Sequence, residues 1–133
     1  MKESNFSFEN LKVWQESRKL VSETYTLVRK FPKEEKFALG DQIRRAVISV
    51  PSNIAEGSGR GSLKEQIHFI EIAYGSLMEV YCQLQVASDL SFIQEADLEN
   101  IKPKVSSIAN MLTGLRASLR KRLNPQAPNP INS

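Results

Sequence analysis

Few residues of this chain belong to the types that commonly do chemistry. His68 is the single histidine and Cys82 the single cysteine, whereas a metal site or a nucleophile–base pair needs several such groups at matched spacing. Glu71 and Glu79 share a predicted helix but lack the Glu-x-x-His spacing of a di-iron bundle. The sequence therefore predicts no catalytic residues, no metal ligands and no cofactor, and we do not expect an enzyme.

A glycine-rich run, Gly57-Ser-Gly-Arg-Gly-Ser62, precedes a predicted helix and could be taken for a phosphate-binding loop. It follows a predicted helix, however, whereas phosphate loops follow a strand and end in Lys-Ser or Lys-Thr. The run is more typical of a tight turn between helices, in which glycine supplies positive φ.

The basic residues are the remaining candidates for a function. The formal net charge is +3, which permits a polyanionic partner without requiring one. Cations in the last turns of the final helix would also complement its dipole, and arginines beside the second helix could form ion pairs across a subunit interface or contact phosphate. The candidate nucleic-acid-binding residues are Arg44, Arg45, Arg60, Arg116, Arg120, Lys121 and Arg122.

Composition limits the class of protein. With 133 residues, of which 41% are hydrophobic and 25% charged, we expect one globular domain with its own core. No apolar run approaches the ~20 residues of a membrane span, and the N-terminus lacks an apolar signal core. One cysteine excludes an internal disulfide and fits a reducing compartment. We therefore expect a cytoplasmic protein with no membrane role.

Hydrophobic periodicity predicts four helices and no strand. The first is expected from residue 10 to 31, and Pro32 is its stop. Its apolar stripe comprises Trp14, Val21, Tyr25 and Val28, widened by Leu20, Leu27 and Phe31. Ser62 and Glu65 have the spacing of a capping box that opens the third. Its 4–3 apolar stripe comprises Leu63, Ile67, Ile70, Tyr74, Leu77, Tyr81 and Leu84. The fourth helix repeats that spacing and contains Pro103.

The second helix is apolar on two faces. Ile43, Val47, Val50 and Ile54 share one face, and Ile48 and Ala55 lie on another. Asp41 is the expected N-cap, and Pro51 inside the helix predicts a kink. Because a second apolar face needs a cover, we expect a subunit interface. The candidate interface residues are Ile48, Pro51, Ala55 and Glu56, with the Glu56 carboxylate paired to Arg60 or Arg45.

These helices and their short connections predict an all-α, up-and-down four-helix bundle over residues 10–123, and the second apolar face of the second helix predicts a homo-oligomer. Residues 1–9 are expected to be loosely ordered. Residues 124–133 form a proline-rich tail, which we expect to be disordered.

Several segments resemble the four-helix-bundle proteins encoded in intervening sequences of bacterial 23S ribosomal RNA genes. The most specific is Ser49-Val-Pro-Ser-Asn-Ile-Ala-Glu-Gly57, supported by Leu11-Lys-Val-Trp-Gln, Gln42-Ile-Arg-Arg-Ala and Gly75-Ser-Leu-Met-Glu79. The resemblance implies a cytoplasmic bacterial protein that assembles as a ring-like homopentamer around a central channel, and it carries no catalytic residues. A distantly similar protein, the accessory variability protein of diversity-generating retroelements, binds nucleic acid and a reverse transcriptase through basic surfaces.

Two functional hypotheses follow. The leading one is a non-enzymatic homo-oligomer, with a pentamer favoured, that binds RNA or single-stranded nucleic acid. The alternative is a structural or protein-interaction scaffold without a nucleic-acid role, whose partner would be another protein.

Overall fold

The computed structural model describes residues 6–125, and this part of the chain contains four α-helices and no strand. The helices are α1 (Lys12–Val28), α2 (Leu39–Ser58), α3 (Leu63–Asp89) and α4 (Glu95–Leu123). Short 3-10 turns, Ser7–Asn10 and Glu35–Phe37, precede α1 and α2. The predicted all-α fold is confirmed. The expectations for residues 1–5 and 126–133 lie outside the described residues.

Contacts between distant residues show that neighbouring helices are antiparallel. Ser49 Oγ of α2 lies 2.9 Å from Ser76 Oγ of α3, and Gln83 Nε2 of α3 donates to Gln42 Oε1 of α2 at 3.2 Å. The α1 carboxylate of Glu16 lies near Lys104 of α4. Each helix therefore packs on the next, and α4 packs back on α1.

Some observed helix boundaries differ from the predicted ones because the capping residues differ from those predicted. Ser62 is the N-cap of α3, as predicted, and its hydroxyl accepts the Glu65 N–H at 3.1 Å. The prediction that Asp41 caps α2 is wrong, because α2 begins earlier and its N-cap is Ala38. Asp41 instead lies in the first turn, where a carboxylate is favoured by the helix dipole. Helix α1 is shorter at both ends than the predicted span of 10–31.

The core-facing side of α1 matches the predicted stripe only in part: Leu20, Leu27 and Val28 are buried as expected, and so is Phe31 after the helix. The buried α1 residues are Val13, Ser17, Leu20, Thr24, Leu27 and Val28, whereas Trp14, Val21 and Tyr25 are half-buried at the edge of the core. The reason is that two core positions are polar. Ser17 Oγ donates to the Val13 carbonyl at 2.7 Å, which satisfies a buried hydroxyl within the helix. An apolar pattern alone could not detect such positions.

The buried face of α2 is the predicted one. Ile43, Val47, Val50 and Ile54 are at most 1% exposed. Pro51 lies inside the helix, which bends, because the proline ring crowds the preceding turn and removes an N–H donor. Asn53 Nδ2 donates to the Ser49 carbonyl at 2.8 Å and thereby supplies a local hydrogen bond next to the proline.

The glycine-rich turn works differently from the prediction. No glycine among residues 6–125 has a positive φ; the single positive φ of a non-glycine residue is at Ser91, between α3 and α4. Gly57 is instead a buried helical residue. A Cβ atom at Gly57 would lie 2.9 Å from the Phe69 Cβ atom. The glycine is therefore required by the close approach of α2 to α3.

We predict that Gly57→Ala destabilises the protein by about 1–3 kcal/mol, because the added methyl group overpacks against a side-chain atom that cannot move without its backbone. Gly114→Ala is the matched control, since a Cβ atom there meets nothing within 4 Å. Alanine at this helical position should stabilise by about 0.5–1 kcal/mol. Thermal unfolding measures both. Equal shifts for the two variants would contradict the packing role of Gly57.

Ion pairs connect α1 to α4 on the surface. Lys104 Nζ lies 3.0 Å from Glu16 Oε2 and 3.7 Å from Glu23 Oε1, and Lys30 Nζ lies 2.7 Å from Asp97 Oδ1. The hydrogen bond from Lys104 lowers the pKa of Glu16, and the hydrogen bonds from Lys30 and the Gln94 N–H lower the pKa of Asp97. The hydrogen bond with Glu16 raises the pKa of Lys104.

These shifts predict that acid destabilises the α1–α4 contact. A carboxyl group with a lowered pKa in the folded state contributes its full stabilisation above its unfolded pKa. That stabilisation is lost as pH falls below the ordinary values of 4.5 and 3.8 and through the lowered pKa values. Glu16→Gln should therefore reduce the slope of stability against pH in this range. Glu99→Gln, on the exposed side of α4, is the control, and an equal slope in both variants would contradict the assignment.

Candidate functional site

The fold brings five of the seven basic candidates to one end of the bundle. At this end α2 finishes, α3 begins and α4 finishes, around an open apolar pocket of about 200 Å³. Its lining includes Leu11 before α1, Ser58 of α2, Gln66 of α3 and Arg122 of α4. We call the five cations at this end of the bundle the basic end: Arg60, Arg116, Arg120, Lys121 and Arg122, of which Arg122 lines the pocket.

Acidic residues neutralise only part of the basic end. Arg116 Nη1 and Arg120 Nη2 lie 3.6 and 3.3 Å from the same Glu71 carboxylate oxygen, so one acid serves two cations. Lys121 and Arg122 are exposed and form no ion pair among residues 6–125. The basic end therefore carries positive charge that its own carboxylates do not balance.

Arg60 is the most firmly held cation of this group. Its Nη2 lies 2.8 Å from Glu56 Oε2, one helical turn earlier, and its guanidinium carbon lies 4.8 Å from the centre of the Phe69 ring. Stacking on an aromatic ring fixes the plane of a guanidinium group and leaves its other edge open to a ligand. The sequence does not indicate that Glu71 and Phe69 contact these arginines, because each contact joins residues of different segments.

Arg44 and Arg45 lie elsewhere. They lie on α2, about 16 residues before Arg60, which follows the end of the same helix. At 1.5 Å per residue this separation is about 24 Å. Arg44 is half-buried and donates to the Lys36 carbonyl and to Asp41. Arg45 is exposed. The seven predicted residues therefore do not form one continuous surface.

The predicted interface residues lie on the outer side of α2. Ile48 is 44% exposed, Pro51 and Ala55 are partly exposed, and Glu56 is exposed. Of the two pairings expected for Glu56, the chain makes the one with Arg60. Arg45 of the same chain is 11 residues away, too far along the helix to reach. The role of these four residues in assembly stays a prediction.

The described part of the chain does not bring together side chains for metal binding, and its histidine and cysteine lie on the surface. Residues 6–125 contain no group of three His, Cys, Asp or Glu side chains that could hold a metal ion. His68 is exposed and lies edge-on to Phe69, with 5.8 Å between ring centres. Cys82 is a free, exposed thiol. None of the helices within residues 6–125 has the length and hydropathy of a membrane span.

Fold and surface together define a class: a four-helix bundle with a partly uncompensated basic end. The chain belongs to the family of 23S rRNA-intervening sequence proteins, whose family model matches residues 9–114. This match covers α1, α2, α3 and most of α4. It includes Arg60 but ends before Arg116, Arg120, Lys121 and Arg122. A search of curated proteins returned no match.

We predict that Glu56 and Arg60 couple weakly, by about 0.3–0.5 kcal/mol, as exposed pairs one helical turn apart do. Arg60→Ala should cost more than Glu56→Gln, because it also removes the contact with the Phe69 ring, worth about 0.5–1 kcal/mol at an exposed site. A double-mutant cycle read by thermal unfolding measures the coupling. The cycle between Glu56 and Arg45 is the control within the chain, and a larger coupling there would show that Glu56 reaches Arg45 of another copy.

Proposed function

We propose that this protein is a non-enzymatic homo-oligomer, with a pentamer favoured, that binds RNA or other single-stranded nucleic acid through its basic end. The observation that carries the proposal is that Arg60, in the α2–α3 connection, lies at the same end of the bundle as the cations of the last turns of α4. Phosphate contacts of this kind supply most of the sequence-independent affinity for nucleic acid.

The balance of charge at the basic end supports a phosphate ligand. Arg116 and Arg120 share the Glu71 carboxylate at distances above 3 Å, so neither guanidinium has all its donors satisfied by it. Lys121 and Arg122 extend the positive surface to the end of α4. Arginine donors in such an arrangement suit bidentate contact with phosphate.

Assembly would multiply this charge. The formal charge of +3 per chain becomes +15 for five copies, and repeated sites raise the effective concentration of a flexible strand at each neighbouring site. The family takes its name from an intervening sequence of 23S rRNA, so RNA is the first ligand to test.

The binding experiment compares two triple variants by fluorescence anisotropy of a labelled single-stranded RNA at low and moderate salt. Arg120→Ala/Lys121→Ala/Arg122→Ala should weaken binding and reduce the slope of log affinity against log salt. The slope should change by about 0.7 for each phosphate that the variant no longer neutralises. The control, Arg29→Ala/Lys33→Ala/Lys102→Ala, removes the same charge from exposed positions distant from the basic end.

Unchanged binding by the control and weaker binding by the first variant would support the basic end as the ligand site. Equal weakening would show that total charge, and not this surface, determines affinity. No binding by the unaltered protein at low salt would reject the nucleic-acid role and favour the scaffold alternative.

A further inference from the structure

Helix α3 carries a second apolar surface on the side that faces away from the core. Its residues are three or four positions apart and therefore share one side of the helix. Ile72, Val86 and Leu90 are 37%, 41% and 55% exposed. We call the whole set the α3 outer stripe: Ile72, Gly75, Glu79, Cys82, Val86 and Leu90, all exposed. At 1.5 Å per residue it is about 27 Å long.

The composition of this stripe does not suit a solvent-facing helix side, which is ordinarily charged or polar. Glu79 is the one charged residue between positions 72 and 88. Gly75 lies inside the helix, and a Cβ atom there would meet nothing within 4 Å. Alanine would favour the helix more, and no contact within the described residues requires glycine. A second backbone that approaches closely would require it.

A groove between α1 and α2 has complementary features. It is open, has a volume of about 420 Å³, and is lined by Tyr25, Asp41, Arg44, Arg45 and Ile48. Arg44 is paired with Asp41. Arg45 forms no ion pair among residues 6–125, and neither does Glu79, whose carboxylate only accepts a hydrogen bond from Gln83 at 3.2 Å.

We propose that the α3 outer stripe of one copy packs into the α1–α2 groove of a second copy, with Glu79 paired to Arg45 of the partner subunit. This inference rests on the proposed homo-oligomer and names the faces that form it. The stripe is apolar around Glu79, whereas the groove combines Tyr25 and Ile48 with three charged residues, of which Asp41 and Arg44 pair with each other. This leaves Glu79 and Arg45 as two charges of opposite sign that form no ion pair among residues 6–125. Such complementarity sets which surfaces meet and in which register.

The two surfaces are unlike, so the contact is heterologous. Repeated heterologous contacts either close into a ring or continue as a filament, and a closed ring agrees with the proposed pentamer. In this arrangement Arg45 serves the subunit contact, and the basic end stays free for nucleic acid.

The test is an exchange of charges, measured by light scattering, with circular dichroism to check that helicity is kept. Glu79→Arg and Arg45→Glu should each dissociate the assembly, because each places two like charges in the contact. The mass should fall about fivefold, to that of the 15.0 kDa chain. The double variant Glu79→Arg/Arg45→Glu restores opposite charges and should restore the mass. Glu99→Arg, at an exposed position of α4, is the control and should leave the assembly intact.

A second variant tests the close approach without any charge. Gly75→Gln has room within its own chain, so the helix content should not fall, but the longer side chain should reduce the assembled mass. An oligomer that keeps its mass in Glu79→Arg and Gly75→Gln would overturn this inference and leave the proposed assembly standing. A monomeric unaltered protein would overturn both.

Discussion

The close approach of α2 to α3 is the constraint on which the rest of the structure depends. Gly57 faces the Phe69 Cβ atom at a distance that leaves no room for a methyl group. Farther along the same seam, the hydroxyls of Ser49 and Ser76 are in hydrogen-bond contact. Small residues on α2 thus allow the two helices to lie close together. This contact also places Phe69 under the guanidinium group of Arg60, so the packing of the core positions a cation of the basic end.

Three regions of the described chain differ in their charges and in the physical role of those charges. Between α1 and α4, carboxylates pair with lysines of the other helix, and the hydrogen bonds from these lysines lower the pKa values of Glu16 and Asp97. At the basic end, cations exceed their local acids. Residues 72–88 of α3, which include most of the α3 outer stripe, carry a single charge, that of Glu79. Paired charges are typical of a structural contact, and an excess of positive charge is typical of a polyanion site. A surface with almost no charge is typical of a buried interface.

In the proposed arrangement, assembly and ligand binding would not compete for the same surface. Under the proposed arrangement, the subunit contact uses the groove beside Arg45 and the outer side of α3. The cations of α4 and the α2–α3 connection then repeat around the ring. A ligand that contacts several copies would gain affinity from this repetition, and in return it would stabilise the assembled state over the separate chains.

Local sequence patterns were enough to predict the helices and part of the core. The i, i+4 spacing of Ile43, Val47, Val50 and Ile54 correctly identified the buried face of α2, because those positions share one side of any helix. The Ser62 cap was also correct, since it depends only on residues three apart. The same method centred the core side of α1 on Trp14, Val21 and Tyr25, which are half-buried. It did so because Ser17 and Thr24 are buried polar residues that an apolar pattern passes over.

The sequence by itself determined the type and number of helices, the bend at Pro51 and the membership of the family. Only the tertiary structure decided which cations lie together. It placed Arg116 and Arg120 beside Glu71, stacked Arg60 on Phe69, and assigned Gly57 to close packing instead of to a positive φ. The physical reason is the range of the interactions. Periodicity and capping act within one or two helical turns, whereas the distance between residues far apart in the chain is set by how side chains of different helices fit together.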